Sequence, residues 1–312
     1  MRTKYLKSFR TPVELVDILQ DRGLTISNTT KAAAYLQNIG YFRLNAYFFP
    51  LLSDNKTDHS YKPNSSFKQA MDMYRFDRKL RLLCFNEIEK IEVALRSVIV
   101  NTSSEFFNNP FWLTDSCNYR IDTRFDKRLG RKTDRNYYEE FIHSVNRDIE
   151  RNNDDFIIHF KKCYSDPYPP SWMIAEILTF GNLSRIFKGL NQKSLQKKIS
   201  QKFGLSSDVL ESWMLSLAGV RNICCHHSRL WNRSLPLSVM SPKRPKYGWI
   251  DNDVDNSRAF YRLSMIKYLL CSVSPNNSFK DKLIQLLADY PTIDTNAMGF
   301  PKDWQSQPLW RD

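Results

Sequence analysis

The sequence predicts an all-α protein, and three observations carry that prediction. Apolar residues recur at intervals of three to four through most of the 312-residue chain. Helix-start signals, a capping threonine or serine with proline or an acidic residue just after it, open several of these segments. No stretch shows a convincing alternation of period two, and no internal repeat is visible.

Taken in order, the first helix starts at Thr11-Pro12-Val13-Glu14, where the threonine caps and the glutamate completes a capping box. Leu15, Ile18 and Leu19 form its apolar stripe, and Gly23 ends it. A second helix is expected over 30–39. Gly40 then introduces an aromatic-rich segment over 41–49, stopped by Pro50. Arg43 lies among these aromatics, which could stack on unpaired bases; a core helix with a snorkelling arginine is the favoured reading. Residues 51–66 are polar and read as a linker.

From 67 to about 102 neither proline nor glycine interrupts, so a long helix or two collinear ones is expected. Glu89, Glu92 and Arg96 fall on adjacent turns of it and suit structural ion pairing. Asn108-Asn109-Pro110 breaks the chain. Residues 124–135 carry Arg124, Lys127, Arg128, Arg131, Lys132 and Arg135 against Asp126 and Asp134, and read as a basic loop. Such a loop meets phosphates or is simply solvated. Helical periodicity resumes over 137–163 through Phe141, Val145 and Ile149. Pro167, Pro169 and Pro170 force an extended turn before a helix over 172–178, and Gly181 separates that helix from the next.

Arg185, Lys188, Lys193, Lys197, Lys198 and Lys202 then follow with no acidic residue between them, a stronger polyanion signal than the mixed-sign loop. Ser206, Ser207 and Asp208 offer caps for a further helix, with Glu211 placed to complete a box with Asp208. Lys243, Arg244 and Lys246, interleaved with Pro242 and Pro245, mark a second basic loop. Two more helices are expected over 258–271 and 279–290, and residues 299–304 read as a loop with an aromatic anchor.

The net charge of +13 points to a polyanionic partner, nucleic acid before acidic membrane. No apolar run approaches the roughly 18 residues that a membrane span needs. Met1-Arg2-Thr3-Lys4-Tyr5-Leu6-Lys7 lacks the apolar core of a signal peptide. The six cysteines form no C-x-x-C pair, a pattern that suits reduced thiols and a cytoplasmic location.

Chemistry concentrates at 217–233. Arg221, Asn222, His226 and His227 occur together, with Arg229 and Arg233 just beyond. Histidine moves protons near neutral pH and arginine presents a permanently charged fork to a phosphate. Together they can cut a phosphodiester that carries a neighbouring 2′-hydroxyl, with no metal or cofactor required. Arg221 lies on the same stripe as Leu210, Trp213, Met214, Leu217 and Cys224, so it must be paired or face an opening. On an ideal helix Arg221 and His226 differ by about 140° in azimuth and about 7.5 Å in height. Either the helix ends near His226, or two copies meet at a two-fold interface and share a site; the interface is favoured. Three plainer readings stay open. The histidines can be structural groups at a helix end, where a cation is favoured. Cys224, Cys225 and the histidines can bind metal, although consecutive residues fit one tetrahedral ion poorly. Cys224 or Cys225 can be a nucleophile beside histidine.

Arg221-Asn222 followed by His226 matches the R-N-x-x-x-H signature of HEPN ribonucleases. The string RNICCHHSRLWNR at 221–233 resembles the Abi-like family of bacterial abortive-infection proteins, of the AbiD and AbiF type. YFRL at 41–44, FDRKLR at 76–81, IEVALRS at 91–97, EILTFG at 176–181 and MGFP at 298–301 resemble landmarks of that family in the same order. Cys225 departs from the family pattern, which has a small residue there. The resemblance implies a HEPN-type helical bundle with N- and C-terminal helical extensions: a segment over 1–65 packed on a core over 66–240, then an extension over 241–312. It also implies dimerisation through the motif helix, metal-independent RNA cleavage and growth arrest on phage infection. Arg221 and His226 would be catalytic, supported by Asn222 and His227. RNA would be held by Arg43, Arg185, Lys188, Lys193, Lys197, Lys198, Lys202, Arg229, Arg233, Lys243 and Arg244. A structured small RNA that restrains or guides the protein is a further expected partner. The alternative is a non-catalytic binder of such an RNA.

Overall fold

The computed structural model describes residues 4, 6, 8–126, 128, 130–236, 239–251 and 253–311. Residues 1–3, 5 and 7, on which the reading of the N-terminus rests, and Lys127 of the basic run lie outside the described residues. Twelve α-helices and one two-stranded antiparallel ribbon occur among the described residues. The chain folds into two compact units, Met1–Arg81 with Ile284–Ile293, and Leu82–Leu283 with Asp294–Asp312.

In the first unit, α1 (Pro12–Asp21) starts as expected. Thr11 Oγ1 accepts from the Glu14 amide at 3.3 Å while the Glu14 carboxylate accepts from the Thr11 amide at 2.7 Å. Asn28 caps α2 (Thr29–Ile39), and Gly40, at φ +92°, turns the chain into α3 (Tyr41–Phe48). Leu44, Tyr47 and Phe48 are buried on α3, whereas Phe42 and Arg43 are exposed. The next helix, α4 (Phe67–Phe107), is continuous over 41 residues and supplies its N-terminal part to this unit. A fully buried carboxylate, Asp77, accepts a 2.5 Å bond from the Tyr47 hydroxyl and pairs with Arg81, so its charge is compensated.

The second unit begins in α4 and continues through a ribbon where the sequence suggested a loop. Strands β1 (Ile121–Asp126) and β2 (Arg131–Asn136) pair antiparallel, from Ile121 opposite Asn136 to Asp126 opposite Arg131. Gly130, at φ +62°, helps the chain reverse between them. Ile121, Thr123 and Phe125 do alternate with charged residues, but two apolar side chains and a threonine over six residues are too few to mark a strand by themselves. The expected helix over 137–163 is two, α5 (Glu139–Arg151) and α6 (Asp155–Cys163). Asn152 and Asp154 divide them, the Asn152 side chain accepting from the Asp154 amide at 2.8 Å and offering the backbone a turn in place of another helical bond.

Past the prolines come α7 (Ser171–Ile177) and α8 (Phe180–Gly189). Gly181 lies inside α8 instead of ahead of it, because the cap is Thr179, whose hydroxyl accepts from the Asn182 amide. The lysine-rich α9 (Lys193–Lys202) precedes α10 (Ser207–Cys225). The expected box between Asp208 and Glu211 does not form. Ser206 is the cap residue, and Glu211 turns outward to Lys188 of α8. The last helices are α11 (Ala259–Val273) and α12 (Phe279–Asp289). Residues Ala259–Met265 of α11 are all buried, which makes it a central core element. Trp213 of α10 packs tilted against Trp249 at 4.9 Å between ring centroids and meets Tyr268 edge-on at 5.3 Å. Phe300, Trp304 and Trp310 close on Phe260, so the tail anchors through aromatics as expected. Each such ring contributes about 1.5–3 kcal/mol by burial. No helix among the described residues is long and apolar enough to cross a membrane.

Candidate active site

The motif sits at the C-terminal end of α10. Val209, Leu210, Trp213, Met214, Leu217, Val220 and Cys224 are buried on one side of this helix, which fixes its rotation. Leu215, Asn222 and His226 are exposed on the other, with Gly219 half-buried between them. Helix α10 ends at His226. The His226 amide still donates to Asn222 O at 2.9 Å. His227 then adopts φ +56°, its amide bonding Cys224 O at 3.1 Å, and the Ser228 amide reaches back to Ile223 O at 3.0 Å. These two bonds form a Schellman motif. It turns the chain sharply away and leaves both imidazoles exposed at the helix end.

Arg221 is paired. Its Nε lies 3.7 Å from Glu92 Oε2 on α4, and its side chain keeps 36% exposure. Glu92 is held in turn by Arg96, whose Nη2 donates to Glu92 Oε1 at 3.0 Å and to Leu178 O at 2.9 Å. Arg96 Nη1 also bonds Ala175 O. One carboxylate therefore stands between two guanidiniums, and the cluster keeps a net positive charge beside the motif. The carbonyls at the end of α7 complete the shell of Arg96, so Glu176, exposed on the same last turn, is tied to the same neighbourhood. The expected pairing of Glu92 with Arg96 is present. No local pattern in the sequence signals the contact from Glu92 to Arg221, because 129 positions separate the two.

Arg221, Asn222, His226 and His227 are thus gathered within the last turns of one helix. Asn222 and His226, four positions apart, share its exposed face. Arg221, on the margin of the buried stripe, is about 140° away from His226 around the axis. Arg229 and Arg233 follow half-buried in the irregular segment after α10, and Lys243 and Arg244 are exposed further along. Arg185 is exposed and donates to Asn182 Oδ1 at 3.0 Å, while Lys188 is engaged with Glu211. Lys193, Lys197, Lys198 and Lys202 share the exposed face of α9. Arg43 belongs to the other compact unit. Cys224 is 6% exposed, which removes it from contact with a substrate, and Cys225 is half-buried.

No curated protein and no solved structure matches this chain. A family model described as Abi-like protein matches residues 34–232, a span that runs from α2 through the whole motif helix and includes Glu92, Arg96, Glu176, Arg221 and His226. With well over half of its length matched, the chain belongs to the Abi-like protein family.

Proposed function

We propose that the chain is a metal-independent RNA endonuclease of the HEPN type that acts as a growth-arrest toxin in abortive infection. The observation that carries this reading is the coexistence of an exposed His226 and a carboxylate-held Arg221 in the last turns of α10. Glu92 takes the Nε side of the guanidinium, which leaves the terminal nitrogens as a fork for a phosphate. In the reaction, His226 accepts the proton of a ribose 2′-hydroxyl and the oxygen attacks the adjacent phosphorus. Arg221 neutralises the charge that builds on the phosphoryl oxygens. The 5′-oxygen leaves with a proton delivered by His227, His226 or water. The products are a 2′,3′-cyclic phosphate and a 5′-hydroxyl, and DNA, lacking the nucleophile, is spared. Asn222, on the face of His226, orients the imidazole or holds the phosphate.

The separation of Arg221 and His226 around the helix favours a site shared between two copies. The exposed face of α10 supports that arrangement: Leu215, 46% exposed, Gly219, Asn222 and His226 recur at the spacing of a helix–helix seam. The experiment is cleavage of labelled total RNA in chelator with end-group analysis. Arg221→Ala and His226→Ala are each expected to lower the rate by about 10²–10⁴ and to abolish toxicity, with circular dichroism unchanged. Mixing the two inactive variants is expected to restore part of the activity through hybrid dimers. Cleavage by both variants at the parental rate would overturn the reading. Tight binding without any cleavage by the parent would favour a non-catalytic binder of structured small RNA.

A further inference from the structure

The basic ribbon and the lysine helix grow from one root. The Arg120 amide donates to Gly189 O at 2.9 Å, Tyr119 and Leu190 form an isolated antiparallel bridge, and the Asn191 amide bonds Asn118 O at 3.0 Å. Tyr137, at the end of β2, packs so closely on Gly189 that a Cβ there would lie 2.8 Å from the tyrosine Cβ. The guanidiniums of Arg120 and Arg135 lie 4.5 and 4.6 Å from the Tyr137 ring centroid, which stiffens the root further. The ribbon therefore leaves and returns beside Leu190, and α9 begins three residues later. Strand β1 extends about 20 Å and α9 about 15 Å from that point.

Both arms are dressed for a polyanion with unpaired bases. Residues opposite one another in the ribbon share a face, so Phe125 stands beside Lys132 and in line with Ile121. Phe125 is 63% exposed and Ile121 61%, and Lys132 is exposed as well. Single exposed apolar residues on a surface need no explanation. Two on one face of a narrow ribbon, with a cation across from the ring and Asp134 engaged by Thr123 between them, suit stacking on bases. On α9, Leu195 and Ile199 face the core while Lys193, Lys197, Lys198 and Lys202 face solvent; Lys198 reaches the exposed Glu105 in a pair that contributes little.

We propose that the ribbon and α9 form one binding surface for single-stranded RNA, in which Phe125 stacks on an unpaired base and Lys132 with the α9 lysines holds the flanking phosphates. A duplex offers this surface phosphates but no free base face, so single strands are preferred. The inference rests on the reading of RNA as the substrate, but not on the chemistry of Arg221 and His226.

The test measures binding, not cleavage, in a full-length His226→Ala background. A labelled, unstructured RNA of roughly 12 nucleotides, within the range such sites cover, is compared with a duplex of equal length by fluorescence anisotropy across a salt series. Phe125→Leu is expected to weaken single-strand binding about tenfold and leave the duplex unchanged, while Phe125→Trp binds like the parent. Replacing Lys193, Lys197 and Lys202 by glutamine is expected to weaken both ligands and to flatten the salt dependence by close to one unit of slope per lysine. Single-strand binding unaffected by Phe125→Leu, or a loss equal for both ligands, would overturn the stacking surface. So would a change from dimer to monomer with RNA affinity intact, which would make the ribbon a contact between copies. If the parent binds single strands in this manner but cuts nothing, the nuclease reading fails and the surface stands.

Discussion

His227 holds a backbone conformation that costs a non-glycine residue about 1–2 kcal/mol, and it does so one position after the motif histidine. Glycine would remove that strain and lose about 0.5–1 kcal/mol through greater freedom of the unfolded chain. His227→Gly is therefore expected to raise stability by roughly 0.5–1 kcal/mol, read as a higher urea midpoint with an unchanged slope. A lower midpoint would mean that the His227 side chain makes contacts worth more than the strain. Strained residues concentrate where function requires them, so a more stable but less active variant would assign His227 to the chemistry. The pair of histidines was plain in the sequence, but the different backbones of its two members were not. An αL residue at a helix end is usually glycine, and nothing in Cys225-His226-His227-Ser228 announces one. Arg221 was more legible. A charge on the apolar stripe requires a partner, and Glu92 supplies it.

At the scale of elements, α4 does more than fill the core. Glu92, with 13% side-chain exposure, joins α4 to the end of α10 through Arg221 and, by way of Arg96, to the end of α7. Glu92→Gln keeps the shape but leaves two guanidiniums facing each other without their shared carboxylate. A loss of about 1–3 kcal/mol is expected, measured by urea unfolding, and a double-mutant cycle with Arg221→Ala should assign less than about 1 kcal/mol of it to the longer, more exposed pair. Full stability of Glu92→Gln would show that the α7 carbonyls alone hold Arg96. The boundaries of α1, α2, α3 and α11 were legible to within a residue or two, since caps and glycines are local signals. The ribbon was not. Its strands are held by each other and by the packing of Tyr137 on Gly189, contacts that a scan for periodicity does not see. The split between α5 and α6 escaped for the opposite reason: three polar residues interrupt a pattern that stays in phase across them.

Across the whole molecule, the buried aromatics that build both compact units also set a limit on alkaline stability. Tyr47 and Tyr61 in the first unit, and Tyr119, Tyr261 and Tyr268 in the second, are each buried to nine-tenths or more. Burial pushes all five hydroxyls above the ordinary tyrosine value of 10.0, and Asp77 raises Tyr47 further, since an anion there would face the carboxylate to which the hydroxyl donates. With raised values in the folded state, these groups hold their protons where the unfolded chain releases them. Their contribution to stability is complete below pH 10 and is lost as pH climbs beyond it. The chain has 15 tyrosines. A titration followed by tyrosinate absorbance is expected in two stages, with exposed rings ionising first and the buried ones only together with loss of helical circular dichroism. A single smooth titration near pH 10 with the helices intact would show that these rings reach water in the folded protein. Tyr47 is the sensitive position: Tyr47→Phe removes both the ionisable group and the bond to Asp77, so it should shift the second stage upward while lowering stability at neutral pH by about 1–2 kcal/mol, because the buried Asp77 carboxylate loses a hydrogen bond.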